Sequence, residues 1–270
     1  MNKIGSSIRE IHRIDELTVR DQWVNRIHPL VKLVVTVVYI AAVVSFQKYD
    51  VVGLAGMVIY PIAGFILSEL LFWESIKRLR FVLPLIIFLG ILNPFFDKNY
   101  VLIAGIQINA GILSMITLIL KGLFSILASY LLIATTPVDK ICYAFRLLRM
   151  PKPMVTQFML MYRYITVLLG EVDRIAQAYA LRAPKQKGIH FKVWGSLTGQ
   201  LLLRSMDRAN SVYESMLLRG YNETYGYMKS RIAVRPKDIA YLLFWIGIVV
   251  LFRLYPVIMI IGNLAGGIFR

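Results

Sequence analysis

Apolar residues are concentrated in five stretches that are separated by short polar segments. These stretches are Leu30–Phe46, Val51–Phe72, Phe81–Phe96, Ile108–Ala134 and Asp238–Ile261. A transmembrane helix needs about 20 predominantly apolar residues, within a range of about 17 to 25. The pattern therefore predicts an all-α, polytopic membrane protein with about five transmembrane helices, and four to six crossings are compatible with it.

The positive charges beside these stretches predict the orientation of the chain. Lys77, Arg78 and Arg80 follow the second stretch, and cytoplasmic loops carry an excess of Lys and Arg. We therefore expect this basic cluster, and with it the N-terminus, in the cytoplasm. The expected regions are 1–136 with an N-terminal segment and four spans, 137–236 as a cytoplasmic region, and 237–270 with the last span and the C-terminus.

Lys121 lies near the middle of the fourth predicted span. An ionisable residue inside a membrane usually faces protein or a water-filled cavity, and it is a candidate functional residue. The alternative is that Lys121 marks a boundary between two shorter apolar pieces. The sequence supports both interpretations equally.

The region 137–236 has the period of amphipathic helices. Three helices are predicted: Val138–Arg149, Met154–Leu181, and a third from near Trp194 to Arg219. Pro151 and Pro184 follow the first two. The third ends at Gly220, which favours a helix stop, and Arg219 lies in the last turn, where the helix dipole favours a cation. We expect these long helices to pack on each other, on the bilayer or on a partner.

Composition agrees with a membrane protein. The 270-residue chain is 58% hydrophobic, with a mean hydropathy of +0.64 and a formal net charge of +16. This hydropathy excludes an ordinary soluble domain. A basic soluble protein would suggest nucleic acid, but here Lys and Arg cluster outside the apolar stretches. We therefore attribute the charge to orientation in the bilayer and to contact with anionic lipid, and we expect no nucleic-acid partner.

The motifs of several common enzyme classes are absent from the sequence. It contains no P-loop, no His-Glu-x-x-His, no Gly-x-Ser-x-Gly and no pair of carboxylates within the spans. Cys142 is the one cysteine, and His12, His28 and His190 are widely separated, which does not match a metal site. We therefore expect no catalytic residue, cofactor or metal, and infer a coupling or scaffold subunit that depends on partners for substrate and energy.

Two runs of the cytoplasmic region carry a family likeness. They are YRYITVLLGEVDRIAQAYALRA (162–183) and WGSLTGQLLLRSMDRANSVYESMLLRGYN (194–222). They resemble the transmembrane (T) component of energy-coupling factor transporters, most closely its cobalt-type, CbiQ-like members. The NRIHPLVKL segment before the first span and the Asn93-Pro94 pair also fit, so the resemblance extends over almost the whole chain. It implies long coupling helices whose two X-Arg-X motifs dock into grooves of two ATP-binding-cassette ATPase subunits.

The resemblance assigns the ATPase contact to two tripeptides. They are Leu181-Arg182-Ala183 and Leu218-Arg219-Gly220. The second matches the family motif well. The first departs from the common Ala-Arg-Gly form, because Ala183 replaces glycine and Pro184 follows, and this leaves the local geometry of Arg182 open. From the residues alone, both arginines could equally be solvated helix caps.

A supporting ion-pair network is expected beside these motifs. Glu171 and Arg174 are spaced i,i+3 on the second predicted helix, which allows them to pair. Arg204, Asp207 and Arg208 lie on the third helix. For these five residues the sequence favours internal salt bridges over contacts with a partner.

The resulting hypothesis is a non-catalytic T subunit in the inner membrane of a prokaryote. Its partners would be two ATPase subunits, a membrane-embedded substrate-binding (S) subunit and the lipid bilayer, and its cargo would be cobalt or nickel. A closely related alternative is a shared T subunit that serves vitamin-binding subunits. An alternative from another class is a stand-alone secondary carrier or membrane enzyme.

Overall fold

The computed structural model describes residues 16–18, 22–70, 80, 82–96, 100–103, 106–184, 189–221 and 233–255. The chain divides into two compact units. The bundle unit comprises Thr18–Thr136 with Ile232–Arg270, and the three-helix unit comprises Met1–Leu17 with Pro137–Arg231.

Within the described residues, the two units are helical apart from one β-hairpin in the bundle unit. In chain order the elements are a 3₁₀ turn (Val24–Arg26), α1 (Pro29–Ser45), α2 (Val51–Ala55), a 3₁₀ turn (Gly56–Val58), α3 (Ile59–Leu67), α4 (Leu83–Phe96), β1 (Tyr100–Ile103), β2 (Ile106–Asn109), α5 (Ala110–Thr135), α6 (Val138–Leu147), α7 (Lys152–Arg182), α8 (Phe191–Leu218) and α9 (Pro236–Leu254).

The described residues of each apolar stretch are largely helical. Among the described helices, α5 alone is both long and apolar enough to cross a membrane by length and composition. Shorter apolar helices are α1, the segment Val51–Leu67 that contains α2 and α3, and part of α4. Lys77 and Arg78 of the predicted basic cluster lie outside the described residues, and so does the predicted last span after Tyr255.

The core of the bundle unit is built around α1. Val31, Val35, Tyr39 and Val43 recur every four residues and are at most 4% exposed. This spacing places them on one face of the helix, where they pack with buried residues of α2, α5 and α9. The ring of Tyr39 also stacks on the ring of Tyr60, with 4.4 Å between their centroids. The first predicted span is therefore the central helix of this unit.

The hairpin is a departure from the all-α prediction. β1 and β2 are antiparallel, and Tyr100 pairs with Asn109. The segment is rich in β-branched residues, which favour extended structure. The side chain of Asn109 accepts a hydrogen bond from the Gly111 amide at 2.9 Å and so forms the N-cap of α5. The helix consequently begins at Ala110, two residues later than the predicted start at Ile108.

Lys121 lies within a continuous helix, so its interpretation as a boundary between two pieces is wrong. Its Nζ donates hydrogen bonds to the carbonyl oxygens of Val44, at 3.1 Å, and Phe46. At the other end of the same helix pair, the Nζ of Lys32 donates to the carbonyl oxygen of Thr135 at 2.7 Å. Each lysine thus satisfies carbonyl groups at the C-terminal end of the neighbouring helix. Together they fix the register of the antiparallel pair α1 and α5.

Asp238 joins the beginning of α1 to the beginning of α9. Its Oδ1 accepts a hydrogen bond from the His28 amide at 3.0 Å, and its Oδ2 accepts one from the Arg235 amide at 2.8 Å. Asp238 is only 4% exposed. A proline in the first turn of each helix, Pro29 or Pro236, favours initiation there. The two helices therefore begin side by side at one carboxylate.

The three-helix unit consists of long helices with little buried surface. Among its described contacts, α6 packs on α7 and α7 packs on α8. The buried residues of α7 are Val155 and Thr156, and α8 has none. Burial, with a smaller effect of Asp139, raises the pKa of the Cys142 thiol in α6, which disfavours the reactive thiolate. Most of the apolar surface of α7 and α8 is not covered by the described residues.

Candidate functional site

A Schellman motif closes the C-terminus of α8. Gly220 has a φ of +77°, a left-handed conformation that glycine adopts without a Cβ penalty. Its amide donates to the carbonyl oxygen of Leu217 at 2.9 Å, and the Tyr221 amide donates to that of Met216 at 3.0 Å. These two bonds satisfy carbonyl groups that the helix end would leave open. The chain turns away directly after Arg219, whose side chain is exposed.

The C-terminus of α7 ends in a different way. Ala183 has φ −129° and ψ +63°, and its amide donates to the carbonyl oxygen of Tyr179 at 3.0 Å. Pro184 has no amide hydrogen and disfavours the helical conformation of the residue before it, which accounts for the end of the helix at Arg182. Ala183 therefore does not adopt the left-handed conformation that Gly220 adopts after α8, and an exposed arginine remains at the helix end.

The two helix ends, here called the arginine tips, share an exposed arginine preceded by an exposed leucine. Leu181 is 83% exposed and Leu218 is 91% exposed. The 28 residues of α8 correspond to a length of about 42 Å at 1.5 Å per residue. The connection between Arg182 and α8 is shorter than this, whereas Arg219 directly follows α8. The tips therefore lie toward opposite ends of α8 rather than at one common site.

Three residues of the predicted ion-pair network come together. Glu171 of α7 contacts Arg174, with 3.4 Å between Oε2 and Nη1, and also contacts Arg204 of α8. Asp207 and Arg208 make no ion pair within the described ranges, and their part of the network stays a prediction. Successive helix residues point about 100° apart. Asp207 consequently points into solvent, while Arg208 faces α7 one turn after Arg204.

A groove of about 470 Å³ between α7 and α8 was not predicted from the sequence. Tyr164 and Leu168 line it from α7, and Arg208, Tyr213 and Met216 line it from α8. The periodic apolar residues of α8 predict that one face packs, and part of that face, including Tyr213 and Met216, lines the groove. The sequence does not reveal the groove itself, because its width depends on how the two helices cross.

Comparison with protein families gives a match over most of the chain. Residues 20–231 match CbiQ, described as cobalt transport protein. The chain belongs to the CbiQ family. The matched range includes both arginine tips, whereas α9 lies beyond it. Cobalt transport is the activity for which this family is named.

Individual relatives of this CbiQ-family chain are between 25% and 33% identical to it over the aligned residues. Two uncharacterized proteins of Methanocaldococcus jannaschii are 33% and 31% identical to it over 112 and 147 residues, which cover 41% and 54% of the chain. The chain spans only 40% and 50% of the lengths of these two proteins. An energy-coupling factor transporter transmembrane protein EcfT, from Leuconostoc gelidum subsp. gasicomitatum, is 25% identical over 241 residues, covering 78% of this chain and 84% of the relative. The chain is thus similar to a transmembrane component of an energy-coupling factor transporter.

Gly220→Ala is expected to lower the free energy of unfolding by about 1 kcal/mol, because a residue with a Cβ is strained at positive φ. No atom of the described residues lies within 4 Å of a Cβ at this position, so the expected cost comes from the backbone. Equilibrium unfolding of the purified protein measures it. Gly199→Ala is a matched control, because Gly199 lies inside α8 with equally open space. We expect the control to raise the free energy of unfolding by about 0.5–1 kcal/mol. If both variants change this free energy in the same direction, Gly220 does not require its left-handed conformation.

Proposed function

We propose that this CbiQ-family chain is the transmembrane coupling subunit of an energy-coupling factor importer for cobalt or nickel. It transmits motion from two ATP-binding-cassette ATPase subunits to a membrane-embedded substrate-binding subunit, and ATP hydrolysis belongs to the partners. The observation that carries this proposal is the pair of arginine tips, where long helices end in an exposed arginine preceded by an exposed leucine.

The chemistry of the tips suits a protein groove. A guanidinium forms bidentate, charge-assisted hydrogen bonds with carboxylates and also binds carbonyl oxygens. The neighbouring leucine, 83% or 91% exposed, supplies an apolar anchor that loses water on binding. Two tips directed toward opposite ends of α8 favour two separate receiving subunits over one shared site.

The helices behind the tips can carry motion. The 31 residues of α7 and the 28 residues of α8 correspond to rods of about 46 and 42 Å. The contact of Glu171 with Arg204 connects the two rods, and the groove beside it leaves apolar surface for a further partner. We assign that surface to the substrate-binding subunit.

The arrangement of the bundle unit supports five crossings. Asp238 holds the beginnings of α1 and α9 together, so both helices enter the bundle from the same side. Two helices that cross a membrane in the same direction have an even number of crossings before the second of them. The total from α1 to α9 is therefore odd. The candidates are α1, Val51–Leu67, α4, α5 and α9. The region 137–236 carries 16 Lys and Arg residues against 6 Asp and Glu, which favours the cytoplasm for it and for the N-terminus. The membrane is then the inner membrane of a prokaryote.

Affinity purification of the tagged full-length chain from its own cells tests the proposal. We expect two ATPase subunits and one small membrane protein in the purified complex, with ATP hydrolysis that vanishes when the ATPase subunits are removed. The membrane partner also identifies the cargo class, because metal-binding and vitamin-binding subunits are different proteins. A well-behaved membrane protein that is repeatedly recovered without ATPase subunits would rule out the coupling function.

A further inference from the structure

Two cationic side chains from different helices converge on the C-terminal end of α1. Lys121 of α5 donates hydrogen bonds to the carbonyl oxygens of Val44, at 3.1 Å, and Phe46. The Nη2 of Arg253 in α9 donates to the carbonyl oxygen of Ser45 at 3.1 Å and to its hydroxyl at 3.3 Å. The guanidinium carbon also lies 4.8 Å from the centroid of the Phe46 ring. Two full positive charges therefore face a helix end that carries about half a negative charge.

Both cations keep donors that the described residues do not use. An ammonium group has three N–H donors and a guanidinium group has five. Lys121 uses two of its donors, and the hydrogen bonds of Arg253 come from Nη2 alone. Within the described residues, neither Lys121 nor Arg253 forms an ion pair with a carboxylate. Among the described residues, an excess of positive charge and several unused N–H donors therefore remain at this end of α1.

The position of the cations makes this excess costly in a bilayer. Lys121 lies 14 residues before Thr135, and Phe46 lies 14 residues after Lys32, which corresponds to about 21 Å along each helix. The hydrocarbon core of a bilayer is about 30 Å thick. If the Lys32 end of the pair lies at one boundary, the cations lie about 9 Å short of the other. Charges at such depth require neutralisation, or a bilayer that thins locally.

We propose that Lys121 and Arg253 bind the phosphate group of an anionic phospholipid in the outer leaflet. The phosphate oxygens accept hydrogen bonds from the unused donors of both side chains. The acyl chains lie along the adjacent apolar side chains Val44, Leu251 and Leu254, which are 60%, 48% and 69% exposed. The lipid neutralises the cations and draws its headgroup inward to the end of the short helix α1. This proposal rests on the membrane orientation given above, and it does not depend on the ATPase contact.

Native mass spectrometry of the purified full-length chain tests the site without any partner subunit. The chain is mixed with equal amounts of phosphatidylglycerol and phosphatidylcholine, and the retained lipids are counted. We expect the wild type to prefer phosphatidylglycerol, and each removed charge to lower that preference about fivefold. The variants are Arg253→Gln and the double variant Lys121→Gln with Arg253→Gln. Arg253 is exposed, and Lys121 keeps its own hydrogen bonds in the Arg253→Gln variant. We therefore expect Arg253→Gln to fold and to test the site even if the double variant does not fold.

The matched control removes two exposed lysines at other places, Lys152→Gln with Lys237→Gln, and should keep the preference. Arg253→Lys, which conserves the charge, should keep most of it. An unchanged preference in Arg253→Gln would overturn the proposal, and so would an equal loss in the control. A third arm adds inorganic phosphate to the protein without lipid. The lipid assignment is wrong if two results occur together. Inorganic phosphate alone stabilises the wild type as much as the lipid does, and it does not stabilise Arg253→Gln. The site then binds a free anion.

Discussion

Arg219→Ala is expected to abolish cobalt uptake while the protein stays inserted in the membrane. The hydrogen bonds that close α8 come from the amides of Arg219, Gly220 and Tyr221, so removing the guanidinium leaves the helix end intact. Truncation of an interface arginine can cost about 2 kcal/mol or more of binding free energy, and the lost anchor disconnects one ATPase subunit. Uptake of labelled cobalt by intact cells measures the effect, and the amount of the chain in membranes is determined in parallel. Arg182→Ala should act in the same direction.

Controls for this experiment separate the arginine tips from arginine in general. Arg146 is also an exposed arginine in the last turn of a helix, α6, and Arg146→Ala should leave uptake unchanged. Arg219→Lys should retain part of the uptake, because an ammonium group keeps the charge but lacks the planar fork of the guanidinium. Near-normal uptake in the double variant Arg182→Ala with Arg219→Ala would show that the tips are not the ATPase contact.

The ends of the coupling helices could be predicted because neighbouring residues determine them. Pro184 stops α7 through its own missing amide hydrogen, and Gly220 stops α8 through its left-handed backbone. The predicted second helix differs from α7 by two residues at its start and one at its end. The third starts three residues earlier than predicted. The residues that end each helix are therefore found in the sequence directly beside the helix end.

Features that depend on distant residues could not be predicted. The sequence identifies Lys121 as an unusual residue, but its acceptors lie 77 and 75 residues away at the end of another helix. The sequence groups Arg204 and Glu171 in one predicted network, but it does not reveal that these two side chains, which lie on successive helices, are in contact. The hairpin was not predicted, because its apolar β-branched residues suit both a strand and a buried helix segment. In each case the missing information was the position of a second element.

Asp238→Ala is expected to cause a large loss of stability in the bundle unit. The carboxylate accepts hydrogen bonds from the amides of His28 and Arg235 at 3.0 and 2.8 Å, and Asp238 is 4% exposed. Truncation leaves two amides without their acceptor, and an unsatisfied buried donor costs about 1–3 kcal/mol. We expect the free energy of unfolding to fall by about 2–4 kcal/mol, measured by denaturant titration in detergent.

Asp238→Asn separates the hydrogen bonds from the charge. The amide side chain has almost the same volume and keeps one acceptor oxygen, so it can serve one of the two amides and should lose about half as much stability as the alanine variant. Asp207→Ala removes an exposed aspartate that has no ion pair within the described residues, and its effect should stay within about 0.5 kcal/mol. If Asp238→Ala is no more destabilising than Asp207→Ala, the carboxylate does not hold α1 and α9 together. The argument for an odd number of crossings then loses its basis, because that argument depends on both helices beginning at this one side chain.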